Sequence, residues 1–590
     1  MAANRQHAEK MCYRADFQHQ AGHVKDIFDG SHYQSLLGKF VPTENGNTPF
    51  FHFSHERDIA LGLSTDGLAP FKRRTQTCWP IILFNYSLSP DIRFQKKYCI
   101  NVGTIPGPKK PHDMDSFLWP LIQELHELQL GVKSFDAISQ SFFLLHAYLI
   151  VIFGDIPAVA LLMRMKGANG ISPCRVCSIK GVCGAGSKTY FVPLRRDRVP
   201  QSDPIRYDPH ELPIRDHDEL MLQAKAVQSA PNKATSEKLA KEFGIKGTPI
   251  LSTISSISFP SSFPFDFMHL IWENLIPNLI LFWTASFKEL DHEGQDYVIS
   301  PHIWNEIGTT TAACKPMIPS AFGAPVPNIA TQRSQMTSEM YSNWTLFIAP
   351  IVLRGRFKKD IYYKHFMKLI DLLKLCLALE ITEGDLDVIE KGFVSWVQDY
   401  EHLYLQNNPA RLSACPLTIH ALLHVAWGIR VMGPVWTYWA FPMERHCNAL
   451  LQSIGSRRHP YASIDAFVTA NAQLDQVRFK CNLHQALCLN HPKNVSSDTL
   501  VHDSYPCYKL SPPTKKEAVS TLIHNKIYAT LATHFRVTKA TVQAILNLDG
   551  PLLQYGRVVR LEGGDHMTAS DIVASSKDTR DASYIKACVF

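Results

Sequence analysis

Between about residues 58 and 155 the apolar positions arrive in short blocks separated by Gly, Pro and Asp. "IALGLSTDGLAP" predicts a strand ending at Asp66-Gly67, "CWPIILFNYSL" a second strand, and "KKYCINVGTIPGP" a third with a Pro/Gly stop. The three suit a meander. In "DMDSFLWPLIQELHELQLGV" the spacing becomes helical, with Leu118, Leu121, Ile122, Leu125, Leu128 and Leu130 on the repeat. "AYLIVIFGD" is an unbroken apolar run of the kind a strand buried on both faces requires, and it ends at Asp155. Two aspartates therefore stand at the mouths of two buried strands.

Outside that stretch the pattern is mostly helical. Residues 1–57 are polar and His-rich with weak periodicity, as in a partial N-terminal leader. After Asp155, "IPAVALLMRMKGANGISPCRVCSIKGVCG" reads as a helix running into a Gly-rich turn that holds Cys174 and Cys177. Residues 185–250 suit a polar surface excursion, Pro-rich and then helical. The stretches 265–290 and 337–405 are amphipathic and predict a long α-helical block. "CPLTIHALLHVAWGIRVMG" places His420 and His424 four apart on an apolar helix, and "MERHCNALLQSIG" predicts a helix with Glu444 near its start. A Pro/Ser/Lys-rich break at 506–516, a helix over about 517–547 and strand-like pieces from "YGRVVRLEGG" to "ASYIKACVF" suggest a small mixed C-terminal module.

Composition narrows the class. A chain of 590 residues that is 45% hydrophobic buries a large core, in two to four domains. Its net charge of +7 is mild for this length and does not establish nucleic-acid binding. The basic groups "FKRR" (71–74), "PGPKK" (106–110), "RGRFKK" (354–359) and "GSRRH" (455–459) are compatible with phosphate contacts, although each alone is an ordinary solvated face. Fourteen scattered cysteines and an N-terminus without an apolar core point to reduced thiols in the cytosol or nucleus. The longest apolar run, "SFFLLHAYLIVIFGD", is broken by His146 and is too short to span a bilayer.

Two constellations carry candidate chemistry. Cys174 and Cys177 offer two thiolates to a tetrahedral zinc, and two imidazoles at i and i+4 offer the other half. Such a zinc would be structural, since four protein ligands leave no open position. The plain reading is a satisfied pair of core histidines beside small buried thiols. Asp66, Asp155 and a later Glu are hard oxygen ligands of the sort that hold two Mg²⁺ ions for in-line phosphoryl transfer. Here too a plain reading stands beside it: Asp forms turns at strand ends, and Glu444 suits a helix start. Glu273 and Asp115 compete for the third place.

Seven blocks, "LGLSTDGLAPF", "CWPIILFNYSLSP", "IPGPKKPHDMDSFLWPLIQELHEL", "GDIPA", "SPCRVCSIKGV", "FDFMHLIWENLIPNLILFW" and "GPVWTYWAFPMER", together resemble the transposases of CACTA-type DNA transposons. More narrowly they resemble the Plavaka-like and Tnp2-like elements of mushroom-forming fungi. The resemblance covers about 58–470 in order, with a weaker likeness in "RLEGGDHM" and "RDASYI".

That family implies an α/β fold: a ribonuclease H-like DDE core, a mixed sheet with flanking helices, interrupted by a large α-helical insertion and followed by a small C-terminal α+β module. On this chain the parts would be 58–180 and 431–490 for the core, 181–430 for the insertion with zinc-binding ends, and 491–590 for the C-terminal module. Asp66, Asp155 and Glu444 match the three catalytic carboxylates, which would hold Mg²⁺ or Mn²⁺. Asp266 and His269 match a D-x-x-H signature. The arrangement is also similar to the V(D)J recombinase core, where a C-x-x-C pair after the second Asp and a His pair before the Glu bind one zinc. Cys174, Cys177, His420 and His424 stand in that order here.

The resemblance implies a nuclear protein that cleaves double-stranded DNA at transposon ends and joins it to a target, with no membrane partner and with homo-oligomers left open. Lys72, Arg73, Arg74, Arg457 and Arg458 are its candidate phosphate contacts, set against ordinary surface charge. Relatives carry a further N-terminal region with zinc-finger-like motifs, so a truncated or domesticated, catalytically inactive DNA-binding or interaction protein is the alternative. A zinc hydrolase, a third reading, would need an open coordination position that a Cys₂His₂ set lacks.

Overall fold

The structure is a computed structural model. It describes residues 2–569 apart from 45, 72–76, 185–187, 197–205, 288–289, 316–317, 319–322, 482, 484–499, 503–507, 519, 547–549 and 561–565. The chain is mixed α/β and divides into two units, Met1–Ser300 with Leu353–Leu487, and Pro301–Val352 with Cys488–Phe590.

The first unit is organised by a sheet of β1 (Ile59–Thr65), β2 (Trp79–Asn85), β3 (Ile100–Ile105) and β4 (Ala147–Phe153) in the order β3-β2-β1-β4. The first three strands form the predicted antiparallel meander, and β4 lies parallel to β1. Every residue of β2 and β4 is buried, which explains their unalternating apolar sequences: neither face meets water. Between β3 and β4 runs α1 (Met114–Leu130), and its predicted apolar stripe buries Leu118, Leu121, Ile122 and Leu125. These pack with Leu149 and Ile152 of β4 and with Ala158, Val159 and Leu162 of α2 (Ile156–Leu162).

The polar opening segment is held by specific polar bonds rather than by periodic apolar faces. It carries helices Arg5–Lys10 and Ser31–Leu36 and a hairpin of Phe40–Thr43 with Gly46–Phe51. The fully buried Arg93 donates from both terminal nitrogens to Asp26, at 2.8 and 2.6 Å, and Asp26 also accepts the Tyr13 hydroxyl at 2.8 Å. Removing one member strands the other as an uncompensated buried charge. Asp26→Ala is therefore expected to cost about 3–5 kcal/mol in urea denaturation, and a loss below about 1 kcal/mol would show that water reaches Arg93.

The helical part of this unit includes α3 (Asp360–Cys376), packed on α4 (Glu383–Tyr400), then α5 (Leu417–Ala421), α6 (Val425–Met432), α7 (Phe441–Gln452) and α8 (Pro460–Cys481). α4 starts with a reciprocal cap between Thr382 and Asp385. One expectation fails here: His420 and His424 do not share a continuous α-helix, because a 3₁₀ turn over Leu422–His424 separates α5 from α6.

In the second unit β5 (Tyr508–Glu517) covers the stretch predicted as a break. Pro512 and Pro513 fall where its register with β6 (Leu552–Arg560) shifts, between Ser511 and Thr514, which is where a strand tolerates missing N–H donors. The predicted helix over 517–547 is two helices, α9 (Thr521–Phe535) and α10 (Lys539–Ile545). β7 (His566–Thr568) pairs with β6. The "ASYIKACVF" piece lies outside the described residues. Among the described residues no helix is long and apolar enough to cross a membrane.

Candidate metal centres

Parallel pairing of β1 and β4 sets the first centre. Their last registered pair is Ser64 with Phe153, and two residues further each strand delivers a carboxylate, Asp66 and Asp155. Asp66 accepts the Gly67 amide at 2.6 Å. Asp155 caps α2, accepting from the Ala158 amide at 2.5 Å.

The third element arrives from far along the chain. Glu444 lies in the first turn of α7. The start of that helix is fixed by Asp266, which accepts the Ala440 amide at 2.8 Å and is hydrogen-bonded to the ring of His269. His269 in turn places its Nε2 3.6 Å from Glu444 Oε1 and 3.8 Å from Glu273. Ligand atoms of Asp66, His269 and Glu444 all lie within 4.8 Å of one another. Asp155 borders this cluster without belonging to it at that distance, yet its charge reaches Asp66. Glu273 stays at the edge beside His269, and Asp115 is engaged elsewhere by Arg164 at 3.2 Å.

The electrostatics are those of carboxylates crowded at one buried point around His269. Burial, the charge of Asp155 and a hydrogen bond with Glu444 push the Asp66 carboxyl up to about 7. Burial also raises Asp155. Glu444 is lowered, chiefly by its bond to His269. Burial works against a charged His269, but Asp266, Glu444 and Glu273 outweigh it and hold the imidazolium up to about 12. His269 thus supplies a fixed cation among several carboxylates.

A proton linkage follows from Asp66. Unfolded, this carboxyl ionises near pH 3.8; folded, it keeps its proton to about pH 7, so its contribution to stability falls as pH rises across that window. Asp66→Asn removes the penalty. Without added metal the variant is expected to melt a few degrees above the parent at pH 8 and no higher at pH 4, and a divalent cation should raise only the parent. Melting curves at the two pH values test this, and equal melting at pH 8 would mean that Asp66 carries no such penalty.

The second centre draws its cysteines from the loop that follows α2 in the chain. Cys174, Cys177, His420 and His424 are all buried, and their ligand atoms lie within 4.8 Å of one another. Cys177 Sγ is 3.1 Å from His420 Nε2, which is 3.0 Å from His424 Nε2. Two imidazole nitrogens and two thiols converging on one dry point fit a closed tetrahedral ion, for which zinc–sulfur bonds are about 2.3 Å and zinc–nitrogen bonds about 2.0–2.1 Å. The 3₁₀ turn between the histidines keeps both rings aimed at this point.

Two arginines that the sequence did not single out brace the second centre. Buried Arg215 donates to the carbonyls of Cys174 at 3.0 Å and Cys177 at 3.2 Å, fixing the loop that bears them. Gly244, at φ +75°, passes so close that a side-chain carbon would sit 2.1 Å from the Ser172 carbonyl oxygen. Arg175, between the cysteines, lies 4.1 Å from the Phe265 ring and donates to the Pro264 carbonyl at 2.9 Å. It thereby links the cysteine loop to the segment preceding Asp266. The C-R-V-C spelling was a local signal for Arg175; nothing local marks Arg215.

Of the candidate phosphate contacts, Arg457 and Arg458 are exposed in the bend between α7 and α8. Lys72, Arg73 and Arg74 lie outside the described residues. No curated protein matches the chain. Residues 45–224, which contain Asp66, Asp155, Cys174 and Cys177, match the sequence model of the transposase family tnp2, and in this stretch the chain is similar to a transposase.

Proposed function

We propose that the protein is a DDE-type DNA transposase of the CACTA kind, built on a ribonuclease H-like core whose sheet is β3-β2-β1-β4, and that it cuts phosphodiester bonds at transposon ends and transfers the strands. The observation that carries this reading is the meeting of Glu444 with Asp66, at the border where Asp155 also stands, in a chain whose residues 45–224 are similar to a transposase. In this reading Asp66, Asp155 and Glu444 are oxygen ligands for Mg²⁺ or Mn²⁺. The ions, when bound, supply an activated nucleophile and stabilise the leaving oxygen of an in-line displacement.

The chain's own residues set the geometry. Asp66 and Asp155 are held by the strand register, and Glu444 by the Asp266 bond that fixes the start of α7. His269 balances carboxylate charge and orients Glu444 through its Nε2. Cys174, Cys177, His420 and His424 would hold a structural zinc, which would fasten the cysteine loop that follows α2 to the helices leading to Glu444. Arg457 and Arg458 face solvent beyond α7 and suit DNA phosphates. Work on chromosomal DNA requires residence in the nucleus.

Supercoiled plasmid DNA is the first test. With Mg²⁺ or Mn²⁺ the purified protein is expected to convert it to nicked circles, and EDTA should abolish the conversion. Nicking that persists in EDTA, or none with either ion, contradicts the proposal.

A further inference from the structure

Positive charge is distributed unevenly along this chain. Residues 508–560 hold eight Lys and Arg against two acidic residues, a net +6 out of the whole chain's +7, and no acidic residue occurs between Thr521 and Leu546. The segment with no acid is the helix pair α9–α10. Its two helices are joined by only Arg536, Val537 and Thr538.

The turn is sharply specified. Arg536 takes the left-handed conformation, φ 55° and ψ 41°. The Val537 amide closes back on the Ala532 carbonyl at 3.0 Å and the Arg536 amide on the Thr533 carbonyl at 3.3 Å, the double closure that ends a helix and redirects the chain. Thr538 then caps α10. Along α9, His524, Ile527, Tyr528, Leu531 and Ala532 form a half-buried stripe at helical spacing, and α10 answers with buried Val542 and half-buried Leu546. Tyr528 donates to the Leu546 carbonyl at 3.3 Å and Lys539 to Asn525 at 2.8 Å. The pair is also anchored at its base, since Glu517 and Leu552, which flank it, are partners in the β5–β6 ladder.

We infer that α9–α10 is a helix–turn–helix that docks on duplex DNA, with α10 entering the major groove. A short turn of about three residues between two packed helices is one feature of that motif. The outward residues of α10 are Lys539, Ala540, Thr541, Gln543, Ala544 and Ile545; Ala540, Thr541, Gln543 and Ala544 are slim or amide-bearing side chains of the kinds that reach base edges. Lys526, Arg536 and Lys539 are exposed and supply the phosphate charge. A protein partner covering exposed Phe535 and Ile545 is the competing occupant, but a helix pair with three cations and no acid, in a module of net +6, fits a polyanion better. Duplex DNA bound here extends the proposed function, and the inference rests on that reading only for the identity of the DNA as transposon ends.

Binding of the full-length protein to a fluorescent mixed-sequence duplex of about 30 base pairs, roughly three helical turns, tests this by anisotropy at ~50 and ~200 mM salt. The triple variant Lys526→Ala, Arg536→Gly, Lys539→Ala is expected to bind at least about tenfold more weakly at the lower salt, with a salt slope shallower by about 0.9 for each phosphate no longer neutralised. Glycine accepts the left-handed turn without strain, so Arg536→Gly alone removes charge while keeping the fold, and should weaken binding several-fold. Parent-like binding by the triple variant, or no duplex binding by the parent, overturns the inference. Loss of binding in the triple variant supports it even if no nicking is ever seen.

Discussion

Asp66→Ala, Asp155→Ala and Glu444→Ala are each expected to reduce divalent-metal-dependent nicking by at least about a hundredfold to a thousandfold. Loss of a single hydrogen bond to a developing oxyanion costs that much in other enzymes, and a carboxylate that fixes an ion contributes no less. The three should not differ greatly, because a site missing one ligand misplaces the ion for both reacting oxygens. Asp66→Asn sharpens the test: it keeps the volume and the bond to the Gly67 amide but not the charge, so it should be about as inactive as alanine. A Glu444→Ala protein that nicks at the parent's rate would falsify the assignment of the third ligand and turn attention to Glu273, which lies 3.8 Å from His269.

The second large effect belongs to the buried sulfur and nitrogen cluster. Cys174→Ser or His424→Ala is expected to lower bound zinc from one per chain to near zero, measured by plasma emission on dialysed protein. Because binding free energies for structural zinc run to about 10–16 kcal/mol and are folding energy, the same variants should unfold at markedly lower temperature. Parent protein treated with a strong chelator should resemble them. Cys376→Ser is a control, since this thiol is buried in α3 apart from the cluster and should leave zinc content unchanged. Full zinc content in Cys174→Ser would remove the stapling role.

Legibility in the sequence followed the range of the interactions involved. β1, β2 and β4 could be read because burial on both faces leaves unbroken apolar runs, and Asp66 and Asp155 stood out because they end those runs. The His pair was visible from its i, i+4 spacing, which survives the 3₁₀ turn; the turn was not visible, since no Gly or Pro marks Leu422–His424. β5 was concealed by Pro512 and Pro513, whose local preference is overridden by a register shift. The break between α9 and α10 was missed because Arg536, not glycine, occupies its left-handed position. Long-range polar bonds left no trace at all: Asp26 finds Arg93 across 67 residues and Arg215 braces a loop 38 residues away. Asp266 and His269 came into view only through motif resemblance, and only the folded chain brings His269 beside Glu444.

The separation of Cys177 and His420 by 243 residues has a consequence for synthesis on the ribosome. At about 5–20 residues per second, the thiols leave the exit tunnel roughly 10–50 s before the imidazoles that complete their tetrahedral set. Glu444 follows later still. Through that interval the nascent chain holds only half of the Cys/His cluster and lacks Glu444, so under the proposed function a prematurely terminated product would have neither the clasp nor the means to cut. If the protein cuts DNA as proposed, completion of the polypeptide is itself a safeguard against breakage by unfinished copies.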